Sequence, residues 1–532
     1  MKSALDAGTP QGRFWRFALA GAVVLALHGC GGGGGDNPFG SDGVIDPAQP
    51  GSTAGLSIWQ KRTAASDRLA ARCAQPRSGT DPYTHEAYPD GKGSLNDEKY
   101  WLRTYMDEVY FWYDEVPSVD ARPYDVAHRG SVFAALDGYF NALLTPGVTA
   151  SGKLEDQFSF TYPTADWEAL SQGGVEIGYG LQFAALSRKV PRDYRVAYVD
   201  PKAPTANKVV ARGARILTID GVSIDATDDQ GRDTLNAGLF PAASGEQHAF
   251  RVLDDGAGTA RDVVLMSAQT TSTPVQNVHS VTVGGTKVGY LLFNDHIATA
   301  EGQLIDAINQ LKADGVSDLV LDIRYNGGGY LDIASELAYM IAGSSTTSGK
   351  VFERLSFNDK NPLATDTAFT TTGFHSTSQG FDASVPEGTA LPQLGLGRVY
   401  VLMGPGTCSA SEAVINGLRG VDVDVVLIGD TSCGKPYGFF AQDNCGLSYF
   451  AIEFAGVNAK NVGNYADGFD PDCAVADDFS HALGDTNEAL FATALNLRAG
   501  GTCPASAKRA GGAPLQLLRS PLRENGFLRR PS

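Results

Sequence analysis

The sequence predicts a multidomain α/β protein, and three observations carry that reading. Its 532 residues, 43% hydrophobic and 19% charged, suffice for roughly three domains at about 150 residues each. Residues 275–500 alternate short apolar strands with helical periods, the pattern of helices covering largely parallel strands. Ahead of them lie a segment of helical periodicity and then a segment of short strands broken by Asp-Gly turns.

The chain opens on Lys2, Arg13 and Arg16 and an apolar run, residues 17–27, too short to span a bilayer but long enough for a secretory signal core. Residues 27–30 read Leu-His-Gly-Cys, which resembles a bacterial lipobox. The resemblance implies cleavage before Cys30 and lipid attachment there, although His28 departs from the usual small residue, so plain cleavage or a simple anchor stays open. Residues 1–30 are thus a signal peptide with lipobox. Residues 31–65 begin with five glycines and hold too little apolar content to fold, so they form a flexible tether. A bacterial lipoprotein of the periplasm or cell envelope is expected, joined to the membrane through Cys30. The net charge of −18 argues against nucleic acid or an anionic membrane face as partner.

Six further cysteines, Cys73, Cys408, Cys433, Cys445, Cys473 and Cys503, are an even set that suits disulfides in an oxidising compartment. Sequence does not fix their pairing; Cys433 with Cys445, flanking a turn, is the first expectation. Zinc is the rival, but no Cys-x-x-Cys or His-x-x-x-His pair is present. No metal and no cofactor are expected.

The helical module covers residues 66–170. Residues 94–113 carry apolar side chains at helical spacing with Ser94 and Asp97 as a start signal, and residues 132–144 repeat the pattern. The aromatic run 110–113 packs against neighbours or lines a groove. Residues 171–270 form the β-rich domain, with strands at 179–185, 195–199, 215–219 and 263–266. The α/β region follows at 275–500: strands at 288–293, 319–323, 399–403 and 423–428, helices at 302–313, 330–342 and 409–418. A Ser, Thr and Gly-rich insertion, 343–396, interrupts it. Residues 501–532 are basic and read as a poorly packed tail, disordered by composition.

In the β-rich domain, Gly180-Leu181-Gln182-Phe183 and the stretch ending Thr218-Ile219-Asp220-Gly221 resemble a PDZ domain. That implies peptide binding at Gly180, Leu181 and Phe183, where backbone N–H groups face a terminal carboxylate and the neighbouring strand edge accepts the peptide. Gln182 inside the loop and Ala214-Arg215 depart from the PDZ pattern, and a domain that only spaces or regulates stays open.

Chemistry is expected where strands end. After the strand ending at Ile323 comes Arg324-Tyr325-Asn326-Gly327-Gly328-Gly329, whose glycines permit a backbone with N–H groups turned toward a cavity, the requirement of an oxyanion site. After Met403 comes Cys408-Ser409-Ala410-Ser411-Glu412, which places Ser409 at a helix N-terminus as either cap or nucleophile. The eight histidines are scattered and no Gly-x-Ser-x-Gly exists, so a Ser-His-Asp site gains no support. Lys435, behind the turn 429–434, is the remaining base: burial would favour its neutral amine. Residues 429–435 also fit a phosphate-loop spacing, but Pro436 stands where Ser or Thr would hold magnesium. Cys408 is a weaker nucleophile candidate, lacking a His partner.

The order of these motifs resembles the C-terminal processing peptidases, serine endopeptidases related to the tricorn core, over residues 95–480. The resemblance implies a crotonase-like, ββα-type peptidase core. It further implies Ser409 as nucleophile, Lys435 as base, Gly328 and Ala410 as oxyanion donors and Glu412 as a support for the lysine. The Ser-to-Lys interval is one residue longer than common, which puts a second supporting acid in doubt; Asp422 is the candidate. The expected activity is hydrolysis of polypeptides by acyl-enzyme chemistry. A catalytically inactive envelope peptide-binding protein is the alternative, and an acyl-CoA enzyme of crotonase type a more distant one.

Overall fold

The computed structural model describes residue 45 and residues 65–366, 370–504 and 515–518. The signal segment, Cys30 and the tether, apart from Ile45 and Ala65, lie outside the described residues, as do 519–532. The protein is a mixed α/β multidomain molecule, and none of its described helices is long and apolar enough to cross a membrane.

Helix α1, Leu95–Val109, starts where Ser94 and Asp97 form a reciprocal capping box. With α2, Val132–Ala142, it encloses a core of Trp101, Tyr105, Met106, Tyr139 and Phe140. That core is completed by a distant part of the chain, since Leu447, Tyr449, Ala451 and Ile452 belong to it and the strand Leu447–Phe450 pairs with Phe160–Pro163. The aromatic run follows the packing alternative in part: Tyr110 and Trp112 are buried, while Phe111 lies against Tyr437.

The β-rich domain is built from β1 (Leu181–Ser187), β2 (Asp193–Val199), β3 (Arg215–Ile219), helix α3 (Asp229–Leu239), β4 (Gln247–Leu253) and β5 (Arg261–Met266). Strand β4, which sequence reading passed over, reads Gln-His-Ala-Phe-Arg-Val-Leu; Phe250 and Val252 are its buried face.

The main sheet holds β6 (Val275–Val283), β7 (Thr286–Phe293), β8 (Asp318–Asp322), β9 (Arg398–Met403), β10 (Asp424–Gly429) and β11 (Cys473–Ala474), in that spatial order. All neighbours after the β6–β7 hairpin are parallel. Helices α4 (Ala300–Asp314), α5 (Leu331–Ala342) and α6 (Ala410–Gly420) cover one face with Leu304, Ile308, Leu337, Ile341, Ile415 and Leu418. The other face packs on α7 (Ala489–Arg498) and on Ala184 and Ala197 of the β-rich domain. Buried on both faces, the strands are nearly continuous apolar runs, as a parallel sheet requires.

Two sequence expectations are corrected. The expected Cys433–Cys445 bridge does not form: the disulfides are Cys73–Cys445, Cys408–Cys433 and Cys473–Cys503. Cys445 sits in the turn before Leu447–Phe450, which the N-terminal module captures, so its partner comes from that module. The tail is not unpacked throughout: Gln516–Leu517 forms β12, antiparallel to β1.

Candidate active site

Strands β8, β9 and β10 are parallel neighbours, so the segments after their C-terminal ends meet at one edge of the sheet. These segments carry the Gly-rich turn, Ser409 and Lys435. The first turn is anchored from below. Arg324, 2% exposed, bridges Asp322 at 2.8 Å, Asp477 at 2.8 Å and Glu488 at 2.8 Å, so the guanidinium is buried with its charge and donors satisfied.

Asn326, fully buried, stitches the turn to the next one. Its carbonyl accepts the Cys408 N–H at 3.1 Å and the Ser411 hydroxyl at 3.0 Å. Its side-chain NH₂ donates to Phe293 O at 3.0 Å, and its Oδ1 lies 2.9 Å from His296 Nδ1. Burial holds His296 down at about 4, so the ring is neutral at ordinary pH. Gly328 has φ +94°, and a Cβ there would lie 2.8 Å from Ser409 Cβ and 2.9 Å from Ala410 N. The structure therefore puts Gly328 directly against Ser409 and Ala410. Its N–H, however, donates to Asn326 Oδ1 at 3.0 Å and is engaged within its own turn.

Ser409 precedes α6 with φ 56° and ψ −118°, a positive φ that costs a non-glycine residue and marks a site held by its surroundings. Ala410 is the first residue of α6, where the N–H has no intrahelical acceptor. Thr407 fixes the approach: its hydroxyl donates to Ile323 O at 2.9 Å, and its carbonyl accepts the Cys433 N–H at 3.0 Å.

Glu412 joins the Ser409 turn to the Lys435 turn. Its carboxylate, with no exposure to solvent, accepts the N–H groups of Ser409 at 3.1 Å, Gly434 at 2.9 Å and Lys435 at 2.8 Å, and the Ser432 hydroxyl at 2.6 Å. Burial pushes this carboxyl upward in pKa, and the donors, Ser432 first, pull it down. The Cys408–Cys433 disulfide makes a second, covalent tie between the same turns. Lys435 is 8% exposed, and its Nζ lies 4.2 Å from the Phe439 ring centre and 5.3 Å from that of Phe158.

Asp422 does not support the lysine. It is exposed and paired with Lys460, at the far end of α6, roughly 16 Å of helix from Ser409. Cys408 is no nucleophile as it stands, because its sulfur is bonded to Cys433; the same bond occupies both sulfurs of the Cys408–Glu412–Cys433 cluster, so they cannot serve as thiolate ligands. Sequence reasoning missed Ser432, Asn326 as the stitch, and the Phe158–Phe439 enclosure. Of these, only Ser432, beside the Gly-Lys pair, left a local signal.

Residues 287–475 match the model of Peptidase family S41, and residues 97–160 that of the Peptidase S41 N-terminal domain. Residues 287–475 therefore carry a Peptidase family S41 domain, with an S41 N-terminal domain ahead of it. The S41 domain thus spans the main sheet from β7 to β11 and includes the turns of Gly328, Ser409 and Lys435. A carboxyl-terminal-processing protease of Picosynechococcus sp. is 26% identical over 264 residues, 48% of this chain and 54% of that protein. Its counterpart in Synechocystis sp. is 25% identical over 227 residues, 42% of this chain and 44% of that protein. The chain spans about half the length of both relatives. A crystal structure described as an S41 protease from Bacteroides fragilis shares the fold, with TM-score 0.54 and 23% identity over 75% of this chain and 97% of that one.

Proposed function

We propose that the protein is a serine endopeptidase in which Ser409 and Lys435 form the catalytic dyad. The observation that carries this reading is the Glu412 carboxylate, which accepts backbone N–H groups from both Ser409 and Lys435 and so holds two distant segments in one register. Lys435, enclosed by Phe158 and Phe439, acts in its amine form and takes the Ser409 proton as the hydroxyl attacks a peptide carbonyl. The tetrahedral anion is held by the Ala410 N–H and by the Gly328 N–H. The second donor has to turn from Asn326 Oδ1 to the anion, a small rotation at a glycine. The protonated lysine then gives its proton to the leaving amine, and water hydrolyses the acyl-enzyme with the same amine as base.

The β-rich domain is read as PDZ-like, taking extended polypeptide at the edge of β1 beside Gly180, Leu181 and Phe183. The inactive-binding alternative keeps that domain's role but gives no reason for the strained Ser409 turn. The chain is read as an envelope lipoprotein anchored at Cys30; intact mass of the membrane fraction tests this, since an unmodified Cys30 contradicts it.

The experiment is proteolysis of an unstructured polypeptide by purified protein, with Ser409→Ala and a chelator as controls. The reading expects loss of cleavage in Ser409→Ala and none with chelator; cleavage by the variant, or inhibition by chelator, opposes it.

A further inference from the structure

Strand β1 pairs with β2 along one edge; its other edge is the place where an extended polypeptide would add to the sheet. In the structure that edge is already taken by the chain itself. Gln516 lies opposite Ala185 and Leu517 opposite Ala184, antiparallel, and the Leu518 N–H donates to Phe183 O at 2.8 Å.

The side chains make the fit specific. Leu518, 3% exposed, joins the apolar cluster of Phe183, Leu235 and Leu239, so it fills the slot between β1 and α3. Leu517 points to the opposite face, into the cluster of Ala184 and Ala197 that joins the β-rich domain to the main sheet. Gln182, which departs from the PDZ pattern, uses its side-chain NH₂ as a clip: it donates to Leu518 O at 3.0 Å and to Phe183 O at 2.9 Å.

The chain continues as Arg519, so Leu518 presents a peptide carbonyl and no carboxylate. The adjoining pocket beside Gly180 and Leu181 is lined by the carboxylates of Glu176 and Asp200 and by no Lys or Arg, a setting that disfavours an added anion. The stretch 505–514, Ala-Ser-Ala-Lys-Arg-Ala-Gly-Gly-Ala-Pro, has the composition of a linker, which makes this occupant a tethered one at high local concentration.

We infer that residues 515–518 are an intramolecular ligand of the β1 edge, and that an extended polypeptide with two successive apolar residues must displace them to bind. This rests on the peptide-binding reading of the β-rich domain. It adds that the groove reads a carbonyl through Gln182 and does not require a free C-terminus.

The test uses the full chain carrying Ser409→Ala, so that hydrolysis plays no part, and a fluorescent Leu-Gln-Leu-Leu peptide as free acid and as amide. Anisotropy is expected to give at least tenfold tighter binding when Leu518→Asp is added, because a buried carboxylate expels the segment and removes the competitor. The amide is expected to bind at least as well as the acid. Equal affinity with and without Leu518→Asp overturns the tethered-ligand inference; absence of binding to both overturns the peptide-binding reading beneath it. Much tighter binding of the acid overturns the carbonyl readout. Should Leu518→Asp fail to fold, hydrogen exchange on the Ser409→Ala chain decides. Saturating peptide is expected to deprotect 515–518, and unchanged protection under bound peptide overturns the inference.

Discussion

Glu412 Oε2 accepts the backbone N–H of Lys435 at 2.8 Å, so a residue one turn into helix α6 fixes where the lysine leaves its loop. Glu412→Gln replaces one acceptor oxygen by an NH₂ that faces N–H donors. Each orphaned buried donor costs about 1–3 kcal/mol, and a misplaced reacting group costs on the order of 100-fold in rate. The expected outcome is a lower melting temperature with kcat reduced at least as strongly as KM is raised, measured on one polypeptide substrate. Wild-type kcat in a folded Glu412→Gln protein would contradict this positioning role.

Gly328 is the close-approach residue of the site. A methyl there would meet Ser409 Cβ and Cys408 O at 2.8 Å, on a backbone at φ +94°. Gly328→Ala is expected to reduce kcat by 100-fold or more, the scale of one lost oxyanion donor, in steady-state cleavage assays. Folded variant with near-native turnover would show that the turn has room to spare.

The Cys408–Cys433 bond spans 25 positions, a loop whose closure is worth about 3 kcal/mol in the chain-entropy account. The double variant Cys408→Ala/Cys433→Ala is expected to unfold at lower denaturant and to turn over at least several-fold slower, while gaining no sensitivity to mild reductant. If wild type and the double variant have the same kcat, the Glu412 carboxylate and the Thr407–Cys433 backbone hydrogen bond hold the turns together without the disulfide.

Much of this was legible because local rules and tertiary context agree. The Ser94 capping box, the alternation of β7, β8, β9 and β10 with α4, α5 and α6, and the Gly and Ser turns at strand ends all follow from short-range patterns. What stayed hidden depends on contacts far apart in sequence. Cys73 meets Cys445 across 372 residues, Asn326 reaches Cys408 and Ser411, and 515–518 return to β1. Asp422, the candidate second acid, is carried away from the site by α6 and pairs with Lys460, which no short-range pattern reveals.

Buried carboxyls set a pH dependence of stability. Burial alone pushes Glu353 up to about 8, against an ordinary value of about 4.5. Between these values the folded protein holds a proton that the unfolded chain has lost, so stability is full below about 4.5 and falls as pH rises through about 8. Glu453, also pushed up to about 8, acts with the same sign. Glu353→Gln is expected to flatten the fall between pH 5 and pH 8 by an amount on the order of 1 kcal/mol or more, read from denaturant midpoints. Parallel curves for variant and wild type would contradict a protonated Glu353.

The most direct measurement is intact-mass and peptide-level mass spectrometry after exposure to a fluorophosphonate. One adduct, located on Ser409 and formed far more slowly in both Lys435→Ala and Lys435→Arg, is the predicted result, because a guanidinium cannot give up its proton to serve as base. An adduct on another residue, or a Ser409 adduct formed at the wild-type rate without Lys435, would contradict the dyad.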